Sequence, residues 1–528
     1  MSEQKKTLKF LFVYPDFLGN EKRKDMKGNY HEGIAIISAV LKQHGYQTAL
    51  YHLTYAPEEE EFKERIHKEN ADVVGFSVRT SAVPQVRKMC KWVKEASSAF
   101  TVCGGPHATL APEEMIQMEG MDCVCIGEGE YPELELCNAL RDGTDYTHIE
   151  SLWFKDENGE VIRNPVRPFV QDLNELPMSD FELFDFDNLD ASSIATAIVV
   201  VSRGCLFSCT YCGNGQMRMV YPSRKGYARV KEPEKAIEYL QTILDKHPYI
   251  KYINFRDAIL NMYTDWFTDF MNLYKEKIHL PFTCNLRLDN MTEETVKLMK
   301  EAGVYMIDVG VESGDQEIRF KYLKRNMSDE QIINSFKWFK KYDIPTLTYN
   351  IVGLPYEDLH KALKTIKLNA KINPDRMIPN IFCPYPMTQL AKIAEDAVRD
   401  NGGEIRDMGD PKVKVPLIQN TFPEHQVLFV EGYFTKFVKL YKLAYRMPKG
   451  IGHVFERMLD GIFVGRFTPR KFLVALSNAG DKTVRWMKRF GRKHLPGIYL
   501  KLRNRAYKVD EAKKNAEKGV EDNTKASA

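Results

Sequence analysis

Residues 203–214 read RGCLFSCTYCGN, and Cys205, Cys209 and Cys212 stand there in a C-x3-C-x2-C spacing. Cysteine thiolates are the usual ligands of iron–sulfur clusters, and three in so short a loop can hold three corners of a [4Fe–4S] cube. The fourth iron is then left for a small molecule that brings an amine and a carboxylate. Two other chemistries compete for the same thiols. A structural zinc site wants four ligands, and after Cys212 the next His or Cys residues are His247, His279 and Cys284. A disulfide belongs to an exported chain, and residues 1–6 are polar and lead straight into a strand pattern, without a signal sequence. The cluster is the expected chemistry.

An apolar run at 197–201 precedes the loop and reads as a buried strand. The cysteines therefore leave a strand end, where the sites of α/β folds lie. Strand patterns follow at 252–255, 282–285, 306–311, 346–352 and 377–382, separated by helical patterns at 234–245, 263–274, 293–302, 329–341 and 359–370. With the first strand these make six βα units, for which parallel pairing is expected, short of the eight of a closed barrel. Polar residues collect at the strand ends: Asp257, Asn285 and Arg287, then Glu312 and Ser313. Cys284 and Cys383 read as small buried thiols. Tyr349, Tyr356 and Tyr385 are candidates for lining a substrate space.

Residues 8–142 alternate strands (8–14, 48–52, 73–77, 101–103, 123–126) with helices (34–44, 59–68, 83–95, 113–118, 132–140). This is the rhythm of a Rossmann-like, doubly wound parallel sheet, whose ligands sit beyond the carboxyl ends of the strands. Those ends carry Tyr14-Pro15, Ser77 to Ser81 with Thr80, Gly104-Gly105-Pro106-His107 and Gly127-Glu128-Gly129-Glu130. No G-x-G-x-x-G follows the first strand, which counts against NAD. Residues 143–195 read as a connector: a hairpin turning at Asn158-Gly159, then an acidic, aromatic belt that packs one domain on the other. The cluster domain spans 196–400. Residues 401–509 are mainly helical, and 510–528 have the composition of a disordered tail. Within them, 485–508 hold nine Lys or Arg and no acid, interleaved with aromatics, a mixture that suits a membrane surface or a solvated basic face.

Net charge is +3, so no global field argues for nucleic acid. No run of eighteen apolar residues spans a membrane. Ten cysteines without an export signal point to a reducing cytoplasm, with the basic segment able to bring the protein to the inner membrane surface.

The cysteine loop, with aromatic Tyr211 before its last cysteine, resembles that of the radical S-adenosylmethionine (SAM) superfamily. The successive stretches NFRDA, CNLRLDN, DVGVESG and NIVGLPYED resemble the elements that surround SAM there. The resemblance implies a partial (β/α)6 TIM-type barrel, SAM chelated to the open iron, and Tyr211, Asp257, Arg287, Glu312 and Ser313 beside it. Asp257-Ala258 departs from the two acidic residues frequent at that point. In the first domain, GIAIISAVLKQHGYQTALYHL, VGFSVRT, GGPHATLAPEE and CIGEGE resemble the cobalamin-binding domain of the B12-dependent branch. That implies Ser77, Thr80, Ser81, Gly104, Gly105, His107, Gly127 and Glu128 around cobalamin, and cobalamin between the two domains. The D-x-H-x-x-G sextet that puts a His under cobalt is missing, so His107 is expected at the cofactor's edge rather than on the metal.

The activity so implied is radical: one electron from the reduced cluster cleaves SAM, and the 5′-deoxyadenosyl radical takes hydrogen from an unactivated carbon. Methylcobalamin then delivers a methyl group, giving a methyltransferase for a carbon or phosphorus centre of an unknown small-molecule or lipid-linked substrate. A flavodoxin or ferredoxin would supply the electron. The same motifs admit a cobalamin-binding cyclase, rearrangement or oxidation enzyme without methyl transfer. A non-catalytic cobalamin or redox sensor is the third reading.

Overall fold

Inside its edge strand at residues 47–53, the first sheet is built on strands apolar at most positions, as strands covered on both faces must be. A computed structural model describes residues 7–17, 26–156, 158–407, 412–495 and 498. In chain order the first unit runs β1 (Lys9–Pro15), α1 (Glu32–Gln43), β2 (Gln47–Leu53), α2 (Glu59–Glu69), β3 (Val73–Ser77), α3 (Val83–Ala96), β4 (Phe100–Gly104), α4 (Pro106–Leu110), α5 (Pro112–Ile116), β5 (Cys123–Cys125) and α6 (Glu130–Asp142). The five strands pair in parallel in the order β2-β1-β3-β4-β5. His31 caps α1 by accepting from the Ile34 N–H, and Gly143 ends α6 in the left-handed conformation.

Two features depart from the sequence expectation. Helix begins at Pro106, where a glycine-rich turn is expected: Gly105 takes φ 93, and proline then supplies the φ of a first helical residue. The connector hairpin, β6 (Leu152–Lys155) and β7 (Val161–Arg163), pairs antiparallel with β5 and extends the first sheet past residue 142. It covers an edge that would otherwise expose unpaired backbone.

The second unit runs β8 (Thr196–Val199), β9 (Ser202–Arg203), α7 (Gly213–Val220), β10 (Arg229–Val230), α8 (Pro233–Lys246), β11 (Tyr252–Phe255), α9 (Thr264–Lys277), β12 (Phe282–Leu286), α10 (Glu293–Glu301), β13 (Val304–Glu312), α11 (Asp329–Lys341), β14 (Thr346–Val352), α12 (Leu359–Ile372) and β15 (Arg376–Ile381). Its six-stranded sheet, β15-β14-β13-β12-β11-β8, is parallel throughout. β9 and β10 form a small antiparallel clasp after β8. Then come α13 (Gln389–Asn401), an antiparallel pair β16 (Gly403–Ile405) and β17 (Leu417–Gln419), and helices α14 (Glu424–Arg446), α15 (Lys449–Val464) and α16 (Arg470–His494).

One hydrophobic core runs through both units, and the connector supplies its middle. Phe181, Phe184 and Phe186 are buried among side chains from both sheets. Phe181 stacks on Tyr30 at 5.2 Å and meets Tyr239 of α8 at 5.7 Å. Glu32, at the start of α1, accepts from Ser179 (2.7 Å) and from the Tyr30 and Tyr239 hydroxyls (2.9 Å each). The basic segment 485–508 begins inside α16; beyond residue 495 its remainder, apart from residue 498, and the tail 510–528 lie outside the described residues.

Candidate active site

Cys205, Cys209 and Cys212 follow the clasp strand β9, and all three thiols are free. Cys205 and Cys209 are buried and Cys212 is half-buried. Burial pushes the Cys205 and Cys212 thiols up, so they are held protonated until a metal displaces the proton. Among the described residues no three His, Cys, Asp or Glu side chains converge tightly enough for one metal ion. Three thiols in one short loop suit three corners of an iron–sulfur cluster, whereas a structural zinc wants a fourth ligand.

Two arginines reach this loop. Arg287, after β12, donates to Cys209 Sγ at 3.1 Å, holds Asp289 through two contacts of 2.8 and 2.6 Å, and lies 3.6 Å over the Phe207 ring. Arg325 donates to the Tyr211 hydroxyl at 3.2 Å and to the Gly310 carbonyl. Tyr211 in turn donates to Glu312 Oε1 at 3.0 Å. Burial raises the Glu312 carboxyl, and Arg325 and Tyr211 work against that rise. Glu312 stands at φ 64, just past an irregularity in the β13–β14 register. A β-carbon on Gly310 would lie 2.1 Å from Glu312 Oε1 and 3.0 Å from Arg325. Only glycine leaves room for this carboxylate.

The other residues expected beside SAM have different surroundings. Ser313 is fully buried in a turn, where its hydroxyl accepts from the Asp315 N–H and its carbonyl from Arg319. Asp257 uses Oδ1 to accept from the Val201 N–H (3.0 Å) and the Ser202 hydroxyl, tying β11 to the lead-in of the cysteine loop. Its Oδ2 is buried without a partner, and burial pushes the carboxyl up to about 6.

Arg325 was not singled out in the sequence. It follows a π-helical turn, Ile318–Tyr322, a feature often found at functional sites. Arg319 inside that turn is completely buried and pins the segment through the Ser313 and Met327 carbonyls and Asp329. No periodicity announces an arginine that turns inward; the signal available was two arginines six residues apart after a strand end.

At the first sheet's carboxyl edge, a cavity of about 330 Å³ is lined by Ser77, Gly104, Gly105, Gly127, Glu128 and Glu130 from the first unit, and by Val200 to Arg203 and Lys231 from the second. Its floor is aromatic and aliphatic, with Phe10, Phe12, Ile34 and Ile37. Two of these glycines have no room for a side chain: a β-carbon on Gly127 would meet the Tyr221 hydroxyl at 2.8 Å, and one on Gly105 the Val78 N at 3.0 Å. Glu130 and Glu133, both buried, each leave one carboxylate oxygen without a partner there. Burial and then Glu130 push Glu133 up to about 8. Three expected residues do not line the cavity. Ser81 is exposed, and His107 is fixed between Thr80 (3.2 Å) and Glu114 (3.3 Å).

Charge closes the seam between the units. Arg229 pairs with Glu128 at 2.7 Å, and Arg203 with Glu130 and, at 3.4 Å, with Glu128. Burial raises the Glu128 carboxyl, but Arg203 and Arg229 outweigh it and hold it below the usual range.

A model of the radical SAM superfamily matches residues 199–368, and one of the B12 binding domain matches residues 27–136. An uncharacterized methyltransferase of Pyrococcus horikoshii is 31% identical over 333 residues, covering 62% of this chain and 70% of the relative. The anaerobic magnesium-protoporphyrin IX monomethyl ester cyclase of Rubrivivax gelatinosus is 22% identical over 404 residues, covering 74% and 71%. Two solved structures share the fold. The radical SAM methyltransferase TsrM from Kitasatospora setae, with cobalamin and a [4Fe–4S] cluster bound, aligns with TM-score 0.60 and 16% identity over 78% of this chain and 79% of that one. The cobalamin-dependent SAM radical enzyme OxsB, with aqua-cobalamin and SAM bound, aligns with TM-score 0.65 and 15% identity over 98% and 81%. With a B12 binding domain ahead of a radical SAM domain, the chain belongs to the cobalamin-dependent family of the radical SAM superfamily.

Proposed function

We propose that this protein is a cobalamin-dependent radical SAM methyltransferase acting at a carbon or phosphorus centre. The observation that carries the reading is the shared cavity: loops of the B12 domain form one side, and residues 200–203, leading directly into the cysteine loop, form the other. In this reading Cys205, Cys209 and Cys212 hold the [4Fe–4S] cluster, and Tyr211, Glu312, Arg287 and Arg325 border SAM. Ser77, Gly104, Gly105, Gly127 and Glu128 border cobalamin, while Thr80 and His107 brace their loop from behind. When bound, the reduced cluster with SAM supplies radical hydrogen abstraction and cobalamin supplies a methyl group.

The chain's own residues set the conditions for that chemistry. Arg287, beside Cys209 Sγ, offsets the negative charge of a ligating thiolate. Glu312, charged or neutral according to the balance of burial and Arg325, accepts hydrogen bonds at the mouth of the loop. The arginine–glutamate seam ties the two units together beside the cavity. A flavodoxin- or ferredoxin-type donor in the cytoplasm fits the need for one electron.

The test compares extracts of anaerobic host cells with and without the gene by mass spectrometry, alongside the purified, reconstituted enzyme. A gene-dependent species heavier by one CH2 unit, with both S-adenosylhomocysteine and 5′-deoxyadenosine formed, is expected. A product differing by hydrogens, oxygen or ring closure, with 5′-deoxyadenosine alone, would replace methyl transfer by the cyclase or oxidation reading, which the similarity to the Rubrivivax cyclase favours.

A further inference from the structure

The helices beyond residue 423 present a surface that the proposed chemistry leaves unused. α15 carries apolar residues on two of its sides. One side packs on α14: Leu459 and Phe463 are buried, and a β-carbon on Gly452 would lie 2.5 Å from the Ala444 carbonyl oxygen. The adjoining side faces solvent. Ile451, Val454, Met458 and Ile462 are 64, 68, 50 and 46% exposed, and their spacing of three and four residues makes them one stripe. The turn that follows lifts Phe467, 97% exposed, and α16 continues with Phe472 and Leu476 at 67 and 56%. Scattered exposed apolar side chains are ordinary, but four in one helical stripe, with a fully exposed aromatic in the turn beyond, mark a surface for a partner.

The charges around the stripe identify the partner's chemistry. Between Lys449 and His494 there are eleven Lys or Arg and three acids. Two of those acids, Glu456 and Asp460, turn inward onto Lys367 at 2.9 and 2.8 Å. Lys449, Arg457, Arg466 and Lys471 are exposed beside the apolar stripe. A cationic face of this kind repels a second copy of itself and matches a surface that is negative outside and apolar beneath.

We propose that α15, the turn at 465–469 and α16 dock the protein on an anionic lipid bilayer. The helices lie flat, with Ile451, Val454, Phe467 and Phe472 among the acyl chains and the flanking Lys and Arg at the phosphates. No helix among the described residues is long and apolar enough to cross a membrane, so the contact is peripheral. The proposal does not depend on methyl transfer.

The test is flotation of the full-length protein with vesicles of phosphatidylcholine alone or mixed with phosphatidylglycerol. At least tenfold more protein should float with the anionic vesicles, and 0.5 M salt should weaken the binding. Val454→Asp and Phe467→Asp should each cut the bound fraction severalfold, and the pair at least tenfold. Phe467 sits in an exposed turn, so its replacement leaves the melting temperature unchanged and separates docking from folding. Absence of flotation overturns the proposal. So does flotation that both variants retain, because binding then lies elsewhere in the chain. A dimer that the variants dissociate, without flotation, would make the face a contact between copies instead.

Discussion

Arg325 links three parts of the site: the Tyr211 hydroxyl, the Gly310 carbonyl and, across Tyr211, Glu312. That geometry needs the missing side chain at Gly310. Gly310→Ala should displace the Glu312 carboxylate and lower 5′-deoxyadenosine formation at least tenfold, while iron content and the cluster's absorbance stay near wild type. Loss of the cluster in this variant would instead make Gly310 a folding residue. Asp257 gives a pH prediction. Its folded pKa of about 6 lies above the ordinary 3.8. Below that ordinary value the carboxyl is neutral in both states and its contribution is complete. As pH rises towards 6 the unfolded chain ionises first, and about 3 kcal/mol of stability is lost. Asp257→Asn keeps an oxygen for Val201 and Ser202 and removes the slope. Urea midpoints of the two proteins should therefore diverge between pH 4 and 6 and run parallel above.

Elements at this site are placed by backbone contact as much as by side chains. Gly314 brings the end of β13 against α12, where an added β-carbon would lie 2.3 Å from the Lys364 carbonyl oxygen. Backbone cannot swing aside as a side chain can, so Gly314→Ala should cost roughly 1–3 kcal/mol or more and weaken SAM binding with it. Gly461, in the last turn of α15, meets nothing within 4 Å. There the same change should stabilise by about 1 kcal/mol, since alanine loses less backbone freedom in a helix. Thermal unfolding of the two variants in parallel checks both signs. The π-helical turn before Arg325 belongs to the same level: Arg319, buried within it, donates to the Ser313 carbonyl before the turn and the Met327 carbonyl after it.

Across the whole molecule, the two units share one core and one charged seam. Arg203 is half-buried between Glu130 and Glu128, and Glu130 is buried, so removing the arginine strands the Glu130 carboxylate out of water. Arg203→Met should destabilise by about 3–5 kcal/mol and loosen the cavity between the units. Adding Glu130→Gln removes the stranded charge and should return most of that loss. A double-mutant cycle by chemical denaturation measures the coupling; simple additivity would mean that the pair does not hold the seam. The aromatic belt of the connector makes the units inseparable in another way, since Phe181 touches Tyr30 of one and Tyr239 of the other.

The sequence by itself determined the local order of this protein. Runs rich in apolar and β-branched residues, such as 73–77, 252–255 and 346–352, became strands at those residues, because such side chains suit a strand covered on both faces. The cysteine trio stands out in the sequence for a related reason: its three thiols lie in one short loop, so the spacing alone suggests the cluster proposed for them. Long-range choices were not legible. Whether β6 and β7 would stand apart or cover the edge of β5, whether His107 would face the cavity or turn to Glu114, and that Arg325 would reach Tyr211 all depend on partners far away in the chain. Hydrogen bonds and ion pairs between distant residues leave no periodicity behind, and only packing in three dimensions decides them.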